Sequence, residues 1–200
     1  MITFAAAALF TLAWQTPATP ITCGVMPGGG TTAKSPAVEY NGAKFTFCCG
    51  GCDSSFSKSP GKYIAAAAGT KNVIGEFLFD PVSGARLDLA KTKIKSDYKG
   101  VRYPFASAAN LKVFTANPAK YATWPKNVSL ICPVAGDRVD AYSFSAGYVD
   151  FKDTRYFVCC KGCLAPLQKD PAGIIAQKKG KVIAAVAMPW KNGSAMEHDK

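Results

Sequence analysis

The sequence predicts an α+β fold assembled from tandem small units, each a hairpin followed by short helices. Three observations carry that prediction. A marker pattern recurs at nearly constant spacing, turn dipeptides sit inside strand-like runs, and prolines fall where short helices must stop. The first copy runs Cys23-Gly-Val-Met-Pro, then Tyr40-Asn-Gly-Ala-Lys-Phe-Thr-Phe-Cys48-Cys49-Gly-Gly-Cys52, then Phe56, Pro60 and Tyr63. The third runs Cys132-Pro-Val-Ala-Gly136, then Tyr148, Tyr156-Phe-Val-Cys159-Cys160-Lys-Gly-Cys163, Leu167 and Pro171. Between them lies a copy without sulfur: Asp80-Pro-Val-Ser-Gly84, Tyr98-Lys-Gly-Val-Arg-Tyr103-Pro-Phe105, Phe114, Pro118 and Tyr121. From opening marker to last site position the offsets are 29 (23 to 52), 30 (80 to 110) and 31 (132 to 163).

Taken in order, residues 1–20 read as a signal peptide and spacer, with an apolar run over 4–14, a cleavage point after Thr11-Leu-Ala13, and Pro17 and Pro20 beyond. The run is 11 residues, short of the roughly 20 that span a bilayer, so export to the periplasm or medium is expected and a transmembrane span is not. The first unit covers 21–68, with residues 40–47 as its clearest strand, Asn41-Gly42 as a hairpin loop and a short helix from the Gly-x-Cys position to Ser59-Pro60. A second helix is expected over 63–68. The sulfur-free unit covers 77–124, with Lys99-Gly100 as its loop, Asn110 as a helix N-cap and a stop at Asn117-Pro118. The third covers 129–178, with helices ending before Asp170-Pro171 and over 173–177. Apolar stretches 73–79 and 182–188 read as strands that join the copies in a shared sheet; the latter falls in an extension over 179–190. Residues 191–200 lack periodicity and read as a flexible tail.

Composition narrows the chemistry. Forty-eight per cent of the 200 residues are hydrophobic and 18 % charged, so the chain is not a disordered one. Eight cysteines stand against a single histidine, His198 in the polar tail, which leaves sulfur as the supply of special chemistry. No Ser/His/Asp set, paired carboxylates or phosphate loop supports an enzyme; Gly28-Gly29-Gly30 lacks the lysine and helix of a phosphate site. The net charge of +11 comes from lysines spread along the chain without a run of five, a solvated basic surface rather than a specific nucleic-acid footprint.

Metal ligation needs thiolates converging from two places, usually a turn and a helix start. Cys23 lies on the opening turn, Cys48 ends a strand, and Cys52 falls on the first helical turn; Cys132, Cys159 and Cys163 repeat the arrangement. A helix start is expected to lower the pKa of the third thiol. Cys49 and Cys160, next to their partners in extended backbone, are expected on the opposite face, buried or reactive. Where a four-cysteine knuckle has its second ligand, the chain has Met26 and Ala135. Met26 is either a thioether donor or packing beside Pro27. Three thiolates suit Cu(I) better than Zn(II), which prefers four strong ligands.

The pattern Cys-Pro-Val-x-Gly, Tyr-x-Gly-x-x-Tyr-x-Phe-Cys-Cys-x-Gly-Cys, Phe, Asp-Pro-x-x-Tyr resembles the YHS/TRASH family of small metal-binding modules, which are similar to treble-clef zinc fingers. The resemblance covers 21–66 and 130–175, and 79–122 as a framework. It implies metal ligation by Cys23, Cys48 and Cys52 and by Cys132, Cys159 and Cys163. It also implies a role in heavy-metal sensing, trafficking or resistance; the cysteine spacing itself favours a soft-metal chaperone, scavenger or sensor for copper, zinc or mercury-like ions, with another metal-trafficking protein as partner. Two other readings stay open. The cysteines can pair as disulfides in an exported binding or structural protein, with Cys23–Cys52 and Cys132–Cys163 as intra-unit links. Cys49-Gly-Gly-Cys52 and Cys160-Lys-Gly-Cys163 are formally redox motifs, though no βαβ pattern surrounds them.

Overall fold

The computed structural model describes residues 19–177 and 181–190. The expected signal peptide, apart from its last two residues, the tail and His198 lie outside the described residues. Within them a hairpin followed by two helices occurs three times. The first consists of β1 (Ala37–Tyr40), β2 (Ala43–Thr46), α1 (Cys52–Lys58) and α2 (Pro60–Ala68). Strand β3 (Gly75–Phe77) leads to β4 (Lys95–Tyr98), β5 (Val101–Pro104), α3 (Ala108–Ala116) and α4 (Pro118–Tyr121). Strand β6 (Asn127–Ser129) leads to β7 (Gly147–Phe151), β8 (Thr154–Val158), α5 (Lys161–Lys169) and α6 (Pro171–Gln177), and β9 (Val182–Ala184) and β10 (Met188–Pro189) follow.

Each hairpin closes through two residues with left-handed backbone, as a type I′ turn requires. Asn41 and Gly42 have φ of 53° and 88°, Lys99 and Gly100 of 47° and 79°, and Lys152 and Asp153 of 47° and 57°. The turn at Asn41 divides the expected strand over 40–47, leaving 43–46 as β2. The second helices begin earlier than the apolar pattern suggests, because Pro60 and Pro171 start them; a proline at the first helical position loses no hydrogen bond.

The strands order as β10-β1-β2-β3-β5-β4 in one sheet and β7-β8-β6-β9 in a second. Strand β3 pairs antiparallel with β2 and parallel with β5, so the first two units share a sheet through the linking stretch over 73–79. Strand β6 pairs parallel with β8 in the same way, and β9 covers its other side. The last strand, β10, returns to pair with β1, tying the end of the described chain to its first hairpin.

Alternate residues of the inner strands carry aromatic rings into the interior, as a period of two demands. Phe45 and Phe47, Phe77 and Phe79, and Tyr103 and Phe105 are all buried. Each first helix adds one anchor four residues after its site position: Phe56 after Cys52, Phe114 after Asn110, Leu167 after Cys163. Residues four apart share a helix face, so anchoring that residue in the core fixes the direction of the site position one turn earlier. Phe56 packs 4.6 Å from Phe45, and Phe114 packs 5.3 Å from Tyr103. The three units do not keep separate cores: Phe79 meets Tyr148 at 5.4 Å and Phe157 at 5.8 Å, and one buried cluster runs through all of them.

Polar struts reinforce that shared interior. The fully buried Arg155 donates to Asp150, to the Asn41 carbonyl at 2.7 Å and to the Thr123 carbonyl and hydroxyl, and it stacks 4.2 Å over the Tyr148 ring. Glu39, also buried, accepts from the Ser143 hydroxyl at 2.7 Å.

Candidate metal sites

Each unit begins with the same tight turn. In the third, the Cys132 N–H donates to the Asp137 carbonyl at 2.8 Å and the Gly136 N–H donates back to Cys132. In the middle unit Asp80 and Ala85 make the same bond at 2.9 Å, with Gly84 returning to Asp80. In the first unit Cys23 bonds the Gly29 carbonyl at 2.9 Å across a turn one residue longer. The turn brings its first side chain under the hairpin end, while the helix anchor aims the later side chain at the same point.

Two sets of sulfur atoms converge there. The Sγ atoms of Cys23, Cys48 and Cys52 all lie within 4.8 Å of one another, as do those of Cys132, Cys159 and Cys163. Two thiolates on one tetrahedral ion, each about 2.3 Å from it, stand about 3.8 Å apart; Cys159 and Cys163 are 3.9 Å apart. Among the described residues these are the groupings of metal-ligating side chains able to hold an ion. They are the six residues singled out from the sequence, and their donor chemistry fits a soft or borderline cation.

The two sites differ in exposure. Cys132, Cys159 and Cys163 are all buried, whereas Cys48 in the first site is only partly so. Met26 does not pack beside Pro27 in the interior; it is 55 % exposed on the turn. Ala135, its counterpart, is exposed as well.

Cys49 and Cys160 are not on the opposite face. The backbone bends after Phe47 and after Val158, so the alternation of an extended strand ends before each cysteine pair. The Cys49 sulfur lies 3.3 Å from Cys52 and 3.7 Å from Cys48, and Cys160 lies 3.1 Å from Cys163. Both stand beside the third thiol of their site. Cys49 is exposed and Cys160 half-buried.

Electrostatics in each cluster follow from crowding. Burial opposes a Cys23 thiolate, but the backbone N–H groups of Cys48, Val25 and Met26 point at it and bring its pKa below the ordinary thiol value. The other thiols then resist ionisation. Hydrogen bonding to Cys23 raises Cys48, and hydrogen bonding to Cys49 with burial pushes Cys52 up to about 12. Burial, then the bond to Cys160, pushes Cys163 up to about 12, and burial also raises Cys159, while the bond from Cys163 lowers Cys160. The lowering expected at a helix start is thus reversed for the third thiol, by hydrogen bonding to Cys49 and burial in the first unit and by burial and the bond to Cys160 in the third. An ion held there releases thiol protons as it binds.

The middle unit shows what the same scaffold does without sulfur. Asp80 is fully buried where the other units have Cys23 and Cys132. Its Oδ1 accepts from the Val82 N–H at 2.8 Å and the Ser83 N–H at 3.2 Å; its Oδ2 accepts from the Ala106 N–H at 2.8 Å and the Asn110 side chain at 2.6 Å. Val82, Ser83 and Ala106 are the counterparts of Val25, Met26 and Cys48. The three backbone donors that favour the Cys23 thiolate therefore serve a carboxylate here, and Asn110, at the position of Cys52, bonds it directly. Asn110 is not the N-cap: the Ser107 hydroxyl caps α3 by accepting the Asn110 N–H at 3.2 Å.

One carboxylate escaped the sequence reading. The Cys159 thiol donates to Asp137 Oδ2 at 3.6 Å. Placing Asp137, Gly29 and Ala85 at equivalent turn ends would have exposed it, but the longer first turn hides that alignment.

No helix among the described residues is long and apolar enough to cross a membrane. No curated protein and no solved structure gives a significant match to the chain. A protein-family comparison finds one domain, and it falls on the unit that has no cysteine: residues 78–124 match the YHS domain.

Proposed function

We propose that the protein is a non-enzymatic binder of soft or borderline transition-metal ions, copper(I) or zinc(II), with one three-cysteine site in the first unit and one in the third. Its role is metal trafficking, scavenging or sensing in an exported setting, with a second metal-trafficking protein as exchange partner. The observation that supports this best is the convergence of three sulfurs within 4.8 Å, built twice by the same turn, hairpin and helix. The YHS match in the middle unit supports the same class of function. The test is elemental analysis of the chain purified reduced and metal-replete, alongside a free-thiol count. Near two ions per chain are expected, falling to near none in the Cys52→Ser/Cys163→Ser double variant.

A second reading draws on the short sulfur contacts. Cys49 with Cys52 at 3.3 Å and Cys160 with Cys163 at 3.1 Å are placed to oxidise to disulfides, in place of the Cys23–Cys52 and Cys132–Cys163 links expected from sequence. Metal-free protein with few free thiols after native expression would favour this reading and sink the first.

A further inference from the structure

We infer that Cys49 and Cys160 are thiol–disulfide exchange sites: each takes a soluble disulfide as substrate and then draws the third ligand of its metal site, Cys52 or Cys163, into an intra-unit disulfide that discharges the ion. This rests on the metal-binding function proposed above and makes the disulfide the unloaded state of the same cluster.

One sulfur of each unit belongs to two arrangements. Cys52 lies within 4.8 Å of Cys23 and Cys48 as a member of the triad, and 3.3 Å from Cys49 outside it. Cys163 stands in the same double position, 3.1 Å from Cys160. These contacts are shorter than the 3.7 Å from Cys48 to Cys49 and the 3.9 Å from Cys159 to Cys163. They are also shorter than the roughly 3.8 Å between two thiolates on one tetrahedral ion, so each pair is spaced for a sulfur–sulfur bond of about 2.0 Å rather than for a shared ion. Access separates the two members of a pair. Cys52 and Cys163 are buried, whereas Cys49 is exposed and Cys160 half-buried. A Cβ built on Gly50 or Gly51 would meet no atom within 4 Å, so the loop between Cys49 and Cys52 is uncovered. Starting the helix needs no sulfur at this position: in the middle unit Ser107 occupies it and caps α3 through its hydroxyl.

The exchange leaves the oxidation state of the ion unchanged. The Cys49 thiol gives up its proton and its sulfur attacks the soluble disulfide, breaking that bond and releasing one thiolate. The Cys52 thiolate then leaves the ion and attacks the Cys49 sulfur, displacing the second thiolate. Two electrons pass from the protein sulfurs to the soluble disulfide, which ends as two thiols with one proton from Cys49 and one from water. The ion keeps only Cys23 and Cys48, because the electron pair that Cys52 donated to it now forms the sulfur–sulfur bond. A dithiol reductant reverses both steps and restores the third ligand. Cys160 and Cys163 act in the same way on the third-unit site, more slowly, since Cys160 is less open to the incoming disulfide.

The test uses the full chain, reduced and loaded with zinc(II) or copper(I) without air, then exposed to oxidised glutathione beside a chromophoric chelator. Metal release is expected, the first unit ahead of the third, with peptide mapping showing Cys49–Cys52 and Cys160–Cys163 bonds. The oxidised chain should hold the ion at least about tenfold more weakly, the scale on which even a ligand's outer partners act. Dithiothreitol should restore the affinity. Cys49→Ala should remove the faster release alone. Cys49→Ala/Cys160→Ala should keep its metal under oxidised glutathione, and when reduced should bind it within about twofold of the parent, since both triads are intact. Release from the double variant at the parent's rate, mapped bonds of Cys23–Cys52 and Cys132–Cys163, or metal retained by the parent overturns the exchange mechanism and leaves metal binding intact. A reduced parent chain that binds neither ion overturns the metal-binding function itself, and the exchange mechanism with it.

Discussion

Asp80 shows how one carboxylate can stand in for the opening cysteine of a three-sulfur cluster. Its carboxylate collects three backbone N–H groups and the Asn110 amide, four donors for its two oxygens, in a fully buried position. Stranding buried donors costs roughly 1–3 kcal/mol each before relaxation and water entry. Asp80→Ala is therefore expected to lower the unfolding free energy by about 3 kcal/mol, measured by urea denaturation of the reduced chain. Asp80→Asn keeps the shape but offers one acceptor oxygen instead of two, and should cost about half as much. Metal stoichiometry should not change in either variant. An unfolding midpoint indifferent to Asp80→Ala would show that the middle unit is held by its rings alone.

At the scale of elements, the three hairpins differ in how well their loops suit the backbone. Asn41-Gly42 and Lys99-Gly100 carry glycine at the second left-handed position, where Lys152-Asp153 has none. A side chain in that conformation costs about 1 kcal/mol, less for aspartate. Asp153 recovers only weak contacts, with its Oδ1 3.4 Å from the Lys126 N–H. Asp153→Gly is thus expected to raise stability by up to about 1 kcal/mol, visible as a higher melting temperature. Loss of stability would show instead that the Lys126 contact outweighs the strain.

Elements also show where sequence reasoning reaches and stops. The hairpin loops and proline-bounded helices were legible because each rests on local backbone chemistry. The six triad cysteines were legible because turn, strand end and helix start recur at fixed offsets. Asn110 was misread because a cap competes locally with Ser107, and only the fold reveals Asp80 as its partner. Cys49 and Cys160 were misplaced because the bend that ends each strand has no strong residue signal. The pairing of β10 with β1 joins residues about 150 positions apart, beyond any local rule.

On the scale of the whole molecule, Arg155 is the main polar junction. It reaches Asn41 of the first unit, Thr123 at the end of the second and Asp150 of its own hairpin, and it lies over the rings of Phe77 and Tyr148. Removing one member of a buried charged network typically costs about 3–5 kcal/mol. Arg155→Ala should lower stability by that amount and broaden the unfolding transition as the units come apart. A single sharp transition with little loss would mean that the aromatic interior alone makes the three units cooperative.

The return of β10 to β1 has a consequence for the order in which the chain is finished. The first hairpin emerges early in synthesis, yet its outer strand meets its partner only when residues 188–189 arrive. Until then β1 offers an unpaired edge. A chain lacking residues 188–189 would therefore leave the outer edge of β1 open to pairing with other strands.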